Sequence, residues 1–288
     1  MKFILLAFAL ILDSARAQPA AMTRDIEYGH AGGTSLRLDA GAPGGAGPFP
    51  VVILVHGGGW SAGDKSGSNH PGDAADISPW FAPLTAAGFT WFSINYRLAP
   101  AHSWPAGFDD VQTAIRWVKT HAAEYRGDPG RIALFGHSAG GQLVCLAGTA
   151  DGIDTRVQAV VGFAPVTDFE FELPIRHGSW PSLQNLLGCP RGFTPEALAR
   201  LPGLSPVNHV RAGLPPFLIL QGDADHTVPV QESRNFITRL RAVGVPCEFV
   251  VIPGAPHRLL SWAQFDPGYM DRVIAWLRRM PGVTSSAP

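Results

Sequence analysis

The pentapeptide Gly136-His137-Ser138-Ala139-Gly140 sets a serine between two glycines, where an apolar run from Arg131 to Gly136 meets a run of small residues starting at Ala139. That arrangement predicts a sharp strand-to-helix turn that lifts the Ser138 hydroxyl clear of a sheet, the flanking glycines removing side chains that would clash around it. A hydroxyl so presented becomes a nucleophile for acyl transfer once a base takes its proton. A second glycine run, His56-Gly57-Gly58-Gly59-Trp60, follows the apolar stretch Pro50 to His56. Three successive glycines let the backbone approach a substrate closely. Their N–H groups, with that of Ala139, can face the oxyanion formed when a hydroxyl attacks a carbonyl. No Gly-Lys-Ser/Thr follows, which argues against a phosphate-cradling loop.

A base and an orienting acid complete such a site, and on a strand–turn–helix scaffold they follow the serine in the order acid, then histidine. Of the ten histidines, only His226 and His257 lie beyond a candidate acid. His226 adjoins Asp225 directly, which makes convergence of both on one serine difficult. His257 follows a flexible Pro253-Gly254-Ala255-Pro256 entry and is expected to be the general base. Gly222-Asp223-Ala224-Asp225 offers two carboxylates. Asp225 is the expected acid and Asp223 the residue serving the turn itself, since such side chains cap their own backbone. Asp168 is a weaker alternative, and the remaining histidines, His137 included, read as structural or surface groups.

The elements that must hold these residues alternate short apolar runs with longer amphipathic ones. Strands are expected at Pro50 to His56, Phe89 to Tyr96, Arg131 to Gly136, Val157 to Pro165, Pro216 to Gln221 and Glu248 to Ile252. Helices are expected at about Asp109 to Glu124, Ala139 to Thr149, Val230 to Val243 and Pro267 to Arg279. This is an α/β chain with a doubly wound, mostly parallel sheet. Ile26 to Asp39 reads as an antiparallel hairpin at the sheet edge, and Ala40 to Pro48 as a loop. Between Asp168 and Pro206 six prolines interrupt the alternation. A stretch of that length reads as a small cap insertion over the site.

The 288 residues are 46% hydrophobic and carry 22 basic against 23 acidic side chains. The first figure excludes a disordered chain, and the second a protein that binds nucleic acid by neutralising phosphates. Lys2, the apolar run Phe3 to Leu12 and small Ala15 and Ala17 resemble an export signal cleaved before Gln18, too short to span a bilayer, with no cysteine after it to take a lipid. A secreted or periplasmic chain from residue 18 to 288, without a membrane anchor, is the expectation. Cys145, Cys189 and Cys247 lack metal-ligand spacing; they permit one disulfide or three packed thiols.

Taken together, the text Val55-His56-Gly57-Gly58-Gly59-Trp60, Gly63-Asp64-Lys65, Asn95-Tyr96-Arg97-Leu98-Ala99-Pro100, Trp104-Pro105-Ala106, Gly136 to Gly140, Gly222 to Pro229 and the His257 loop resembles the α/β-hydrolase superfamily. The likeness is to its esterases with an HGGG motif, related to hormone-sensitive lipase, and within these to bacterial feruloyl and acetyl esterases and arylformamidases. The resemblance implies catalytic Ser138, Asp225 and His257, an oxyanion hole from the amides of Gly58, Gly59 and Ala139, and Trp60 at the acyl pocket. It further implies hydrolysis of a small-molecule or polysaccharide-linked carboxylic ester through an acyl-enzyme, with no metal or organic cofactor. An amide hydrolase using the same triad and a catalytically inactive binding protein are the alternatives. Ala255-Pro256 departs from the pattern, since glycine often precedes the histidine in relatives.

Overall fold

The computed structural model describes residues 20–67, 75–280 and 282–283. The proposed export signal, Met1 to Ala17, lies outside the described residues.

The strands β1 (Ala21–Ala31), β2 (Thr34–Ala42), β3 (Phe49–Val55), β4 (Thr90–Ile94), β5 (Gly127–His137), β6 (Ala159–Phe163), β7 (Phe217–Gly222) and β8 (Cys247–Ile252) form one sheet in the order β1-β2-β4-β3-β5-β6-β7-β8. The β1–β2 hairpin is antiparallel and joins β4 in antiparallel fashion; the other pairings are parallel. The edge hairpin runs longer than the sequence suggested. Ala40 and Gly41 pair with Phe92 and Trp91 as part of β2, so the expected loop begins only after Ala42.

The central strands read as continuous apolar runs because both of their faces are covered. In β3, Val51, Ile53 and Val55 enter one core while Val52 and Leu54 enter the other. Helices α2 (Ala106–His121), α3 (Ala139–Thr149) and α8 (Val230–Ala242) supply the first core with Val111, Ile115, Leu143, Phe236 and Leu240. Helix α1 (Phe81–Ala86), which the periodicity did not reveal, and α10 (Tyr269–Arg279) close the second. In α10, Met270, Val273, Ile274 and Leu277 recur at helical spacing and are buried, so one stripe faces the sheet.

Between β6 and β7 lie four short helices, α4 (Phe169–Ile175), α5 (Pro181–Leu187), α6 (Pro195–Leu198) and α7 (Leu201–Leu204). Asp168 caps α4, its Oδ1 accepting from the Phe171 N–H at 3.0 Å. Prolines open α5 and α6, where their missing N–H costs nothing. A single-turn helix, α9 (Trp262–Phe265), follows the His257 loop.

Candidate active site

Ser138 follows β5 and caps α3 with φ 54° and ψ −118°, a conformation rarely adopted by non-glycine residues. Two hydrogen bonds pin it. Its N–H donates to the Phe163 carbonyl at 2.9 Å, and its carbonyl accepts from the Gln142 N–H at 2.9 Å. Gly140 is required by close approach: a Cβ there would lie 2.3 Å from the carbonyl oxygens of both Val55 and His56. Helix α3 therefore begins directly against the end of β3, and its N-terminus, with unpaired N–H groups and the positive end of its dipole, adjoins the serine.

The β7 and β8 ends bring in the partners. His257 Nδ1–H donates to Asp225 Oδ2 at 2.7 Å, which leaves Nε2 to accept from the Ser138 hydroxyl at 2.8 Å. Asp225 Oδ1 accepts from the N–H groups of Thr227 (2.8 Å) and Val228 (2.9 Å). Burial alone would raise this carboxyl, but the His257 hydrogen bond and charge and those two N–H groups outweigh it and hold Asp225 below the usual carboxylate value. Asp223 instead accepts from the Gly254 N–H at 2.6 Å, tying the β7 turn to the loop that carries His257. His226 is exposed, and Asp168 is occupied as a helix cap. Of the candidate acids and histidines, the structure thus brings Asp225 and His257 to Ser138 and leaves the others elsewhere.

Gly58, Gly59 and Ala139 line one cavity with Ser138 and His257, of about 230 Å³. Gly58, at φ 99°, turns the loop so tightly that a Cβ would meet the Ala62 carbonyl at 2.2 Å; no other residue type fits. Trp60 also lines the cavity. Its indole N–H donates to Gln142 Oε1 at 3.0 Å, and its ring lies 5.6 Å from Phe169 and 6.5 Å from Trp180. Among the tryptophans, Trp60 and Trp180 reach the cavity, whereas Trp80 and Trp262 are core residues and Trp104 stacks on Phe108.

Sequence reasoning missed two contributors, His137 and Arg176. His137 is buried and its Nε2–H donates to the His257 carbonyl at 3.0 Å. Burial, reinforced by the neighbouring His257, lowers its pKa to about 3, so it stays neutral and holds the His257 backbone. Its place inside the serine motif was visible, but nothing in the sequence showed its partner 120 residues away. Arg176 and Trp180 line the cavity from the insertion, where proline breaks conceal any helical period. The three cysteines are free thiols, Cys145 buried and its thiol pushed up by that burial.

The chain matches the BD-FAE family over residues 40–240, a span that holds Ser138 and Asp225 and stops before His257. It is 33% identical over 247 residues to the carboxylesterase NlhH of Mycobacterium tuberculosis, which covers 80% of this chain and 74% of that protein. Esterase LipC of the same organism is 34% identical over 236 residues, 76% of this chain and 56% of LipC. The chain spans about half the length of several curated relatives it matches. Among solved structures, a truncated carbohydrate esterase from gut microbiota superposes with a TM-score of 0.73 at 27% identity, over 89% of this chain and 94% of that one. The apo form of Thermogutta terrifontis esterase 2 gives 0.69 at 25% identity, over 91% and 96%. From the matched span, the mycobacterial relatives and the shared sheet, the chain belongs to the BD-FAE family of α/β-hydrolase esterases.

Proposed function

We propose that this chain is an exported serine hydrolase of carboxylic esters. The observation that carries the reading is the continuous relay from Asp225 through His257 to Ser138, at 2.7 and 2.8 Å, on the wall of a cavity that Gly58, Gly59 and Ala139 also line. His257 Nε2 takes the Ser138 proton as Oγ attacks the ester carbonyl, and the ionised Asp225 stabilises the imidazolium. The backbone N–H groups of Gly58, Gly59 and Ala139 receive the oxyanion. His257 then protonates the departing alcohol, an acyl-enzyme remains on Ser138, and a water activated by the same imidazole releases the acid. Export is supported by the apolar run Phe3 to Leu12 followed by Ala15 and Ala17, and N-terminal sequencing of the protein recovered outside the cytoplasm tests it.

The cavity of about 230 Å³ is smaller than the roughly 300–1,000 Å³ of sites for drug-sized ligands, and Trp60, Val166 and Trp180 line it. Short acyl groups suit it best. The test is hydrolysis of 4-nitrophenyl butyrate beside the matched anilide. The ester should turn over and Ser138→Ala should lower kcat by a factor on the order of 10⁴ or more. Full activity in the variant, or turnover of the anilide alone, overturns the reading.

A further inference from the structure

Arg176 is the one side chain of permanent charge among the described residues that line the cavity holding Ser138. It is held rigidly there. Its Nε–H donates to Glu172 Oε1 at 2.6 Å, its Nη2 hydrogens reach Glu172 and the Thr227 carbonyl, and its guanidinium lies 4.1 Å from the centre of the Trp180 ring. Its Nη1 group makes no hydrogen bond with the described residues. Glu172 is 1% exposed and does not line the cavity, so the positive end of the ion pair is the end that faces the substrate. The carboxylate behind it is fixed in turn. Glu232 Oε2 accepts from the N–H groups of Thr167 and Asp168 at 2.7 and 3.0 Å. Burial, together with Glu172 beside it, raises Glu232 well above its ordinary value, which favours a proton on Glu232, while Glu172 is the carboxylate that pairs with Arg176.

A guanidinium fixed by stacking and by carboxylate, with one arm unused at a cavity wall, matches a planar anionic acceptor better than an alkyl chain. Resting on the ester-hydrolase reading, we propose that Arg176 is a specificity-determining residue and that the preferred substrates are esters bearing a carboxylate on the acyl or the alcohol part. The carboxylate accepts from Nη1 while the ester carbonyl sits at Ser138.

Two pairs of esters test this, each pair matching a carboxylate with a shape-matched isopropyl group. Monoethyl succinate against ethyl 4-methylpentanoate places the group on the acyl side, and acetoxyacetate against isobutyl acetate places it on the alcohol side. Proton release gives kcat/KM for each. In at least one pair the wild-type protein should favour the carboxylate by roughly tenfold to a hundredfold, the worth of a charge-assisted hydrogen bond. Arg176→Gln should bring that ratio near one and Arg176→Lys should restore part of it. The wild-type ratio should also fall as salt is raised, a readout independent of how well either variant folds. Preference for the neutral ester in both pairs, or a ratio unmoved by Arg176→Gln, overturns the assignment. Turnover of none of the four esters overturns the assignment, and failure of 4-nitrophenyl butyrate as well overturns the ester-hydrolase reading beneath it.

Discussion

The serine turn from Gly136 to Gly141 and the insertion from Asp168 to Pro206 both line the same cavity, yet different physics holds each. The turn is set by backbone sterics. With Ser138 at φ 54° and no room for a Cβ at Gly140, one conformation remains, and the atoms that fix it belong to the motif, the first turn of α3 and the adjoining strand ends. The insertion is set by side chains. Glu172, Arg176, Trp180 and Glu232 lock its first helix to α8 and to the Asp225 turn, and no four-residue window contains that network. Chemistry common to a fold is therefore written in short strings, while selectivity is dispersed.

Gly140→Ala probes the first half of that contrast and should have the largest effect. A methyl group 2.3 Å from two carbonyl oxygens forces β3 and α3 apart, costing more than about 3 kcal/mol and displacing Ser138. Denaturant unfolding and esterase assays read both losses. A stable, active Gly140→Ala protein would remove the steric account of the turn.

His137 lies on the boundary, a motif residue whose function depends on a distant partner. Its value in the folded chain is depressed to about 3 from 6.5, so the unfolded chain binds a proton that the folded chain refuses. The stability concerned is complete above about 6.5 and is lost as pH falls toward 3. His137→Gln should lower stability at neutral pH yet flatten the acid limb between about pH 6 and 4 by up to about 1.4 kcal/mol per pH unit. Parallel limbs in wild type and variant would contradict the buried, neutral imidazole.

The side-chain lock of the insertion should give the smallest effect. Glutamine imitates a protonated Glu232: its oxygen can accept from Thr167 and Asp168 while its amide donates to Glu172. Because the folded value of Glu232 is raised, its contribution is fully present below the ordinary carboxylate range and is lost as pH rises through the folded value. Glu232→Gln should therefore shift stability by less than about 1 kcal/mol at neutral pH and make it less sensitive to alkali, as thermal melts from about pH 6 to 10 would show. A cost as large as that of Gly140→Ala would erase the distinction between the two regions.

How far the sequence could be read follows the same division. The six core strands were legible because Val, Ile, Leu and Phe run together where a strand is covered on both faces, as in β3 and β7. Helix α3 was legible close to its observed ends, since an apolar run without proline or charge follows the turn and gives way to Asp151-Gly152 just after Thr149. The order of acid and histidine along the chain pointed to Asp225 and His257, and the two now sit 2.7 Å apart. Helix α1 was not legible because one turn and a half offers no period. The end of β2 was read as loop because Ala40, Gly41 and Ala42 carry no strand signal; pairing with β1 and, for Ala40 and Gly41, with β4 makes them a strand. Arg176 was invisible for a third reason: Pro174 masks its helical spacing from Glu172, and its bond to the Thr227 carbonyl crosses 51 residues of sequence.

The central claim is that Ser138 becomes covalently acylated. Incubation with a fluorophosphonate, followed by peptide mass spectrometry, reads this most directly. The adduct should reside on the peptide containing Ser138, form in proportion to lost esterase activity, and be absent in Ser138→Ala and strongly slowed in His257→Ala. An adduct on another residue, or inactivation without modification of Ser138, would contradict the account.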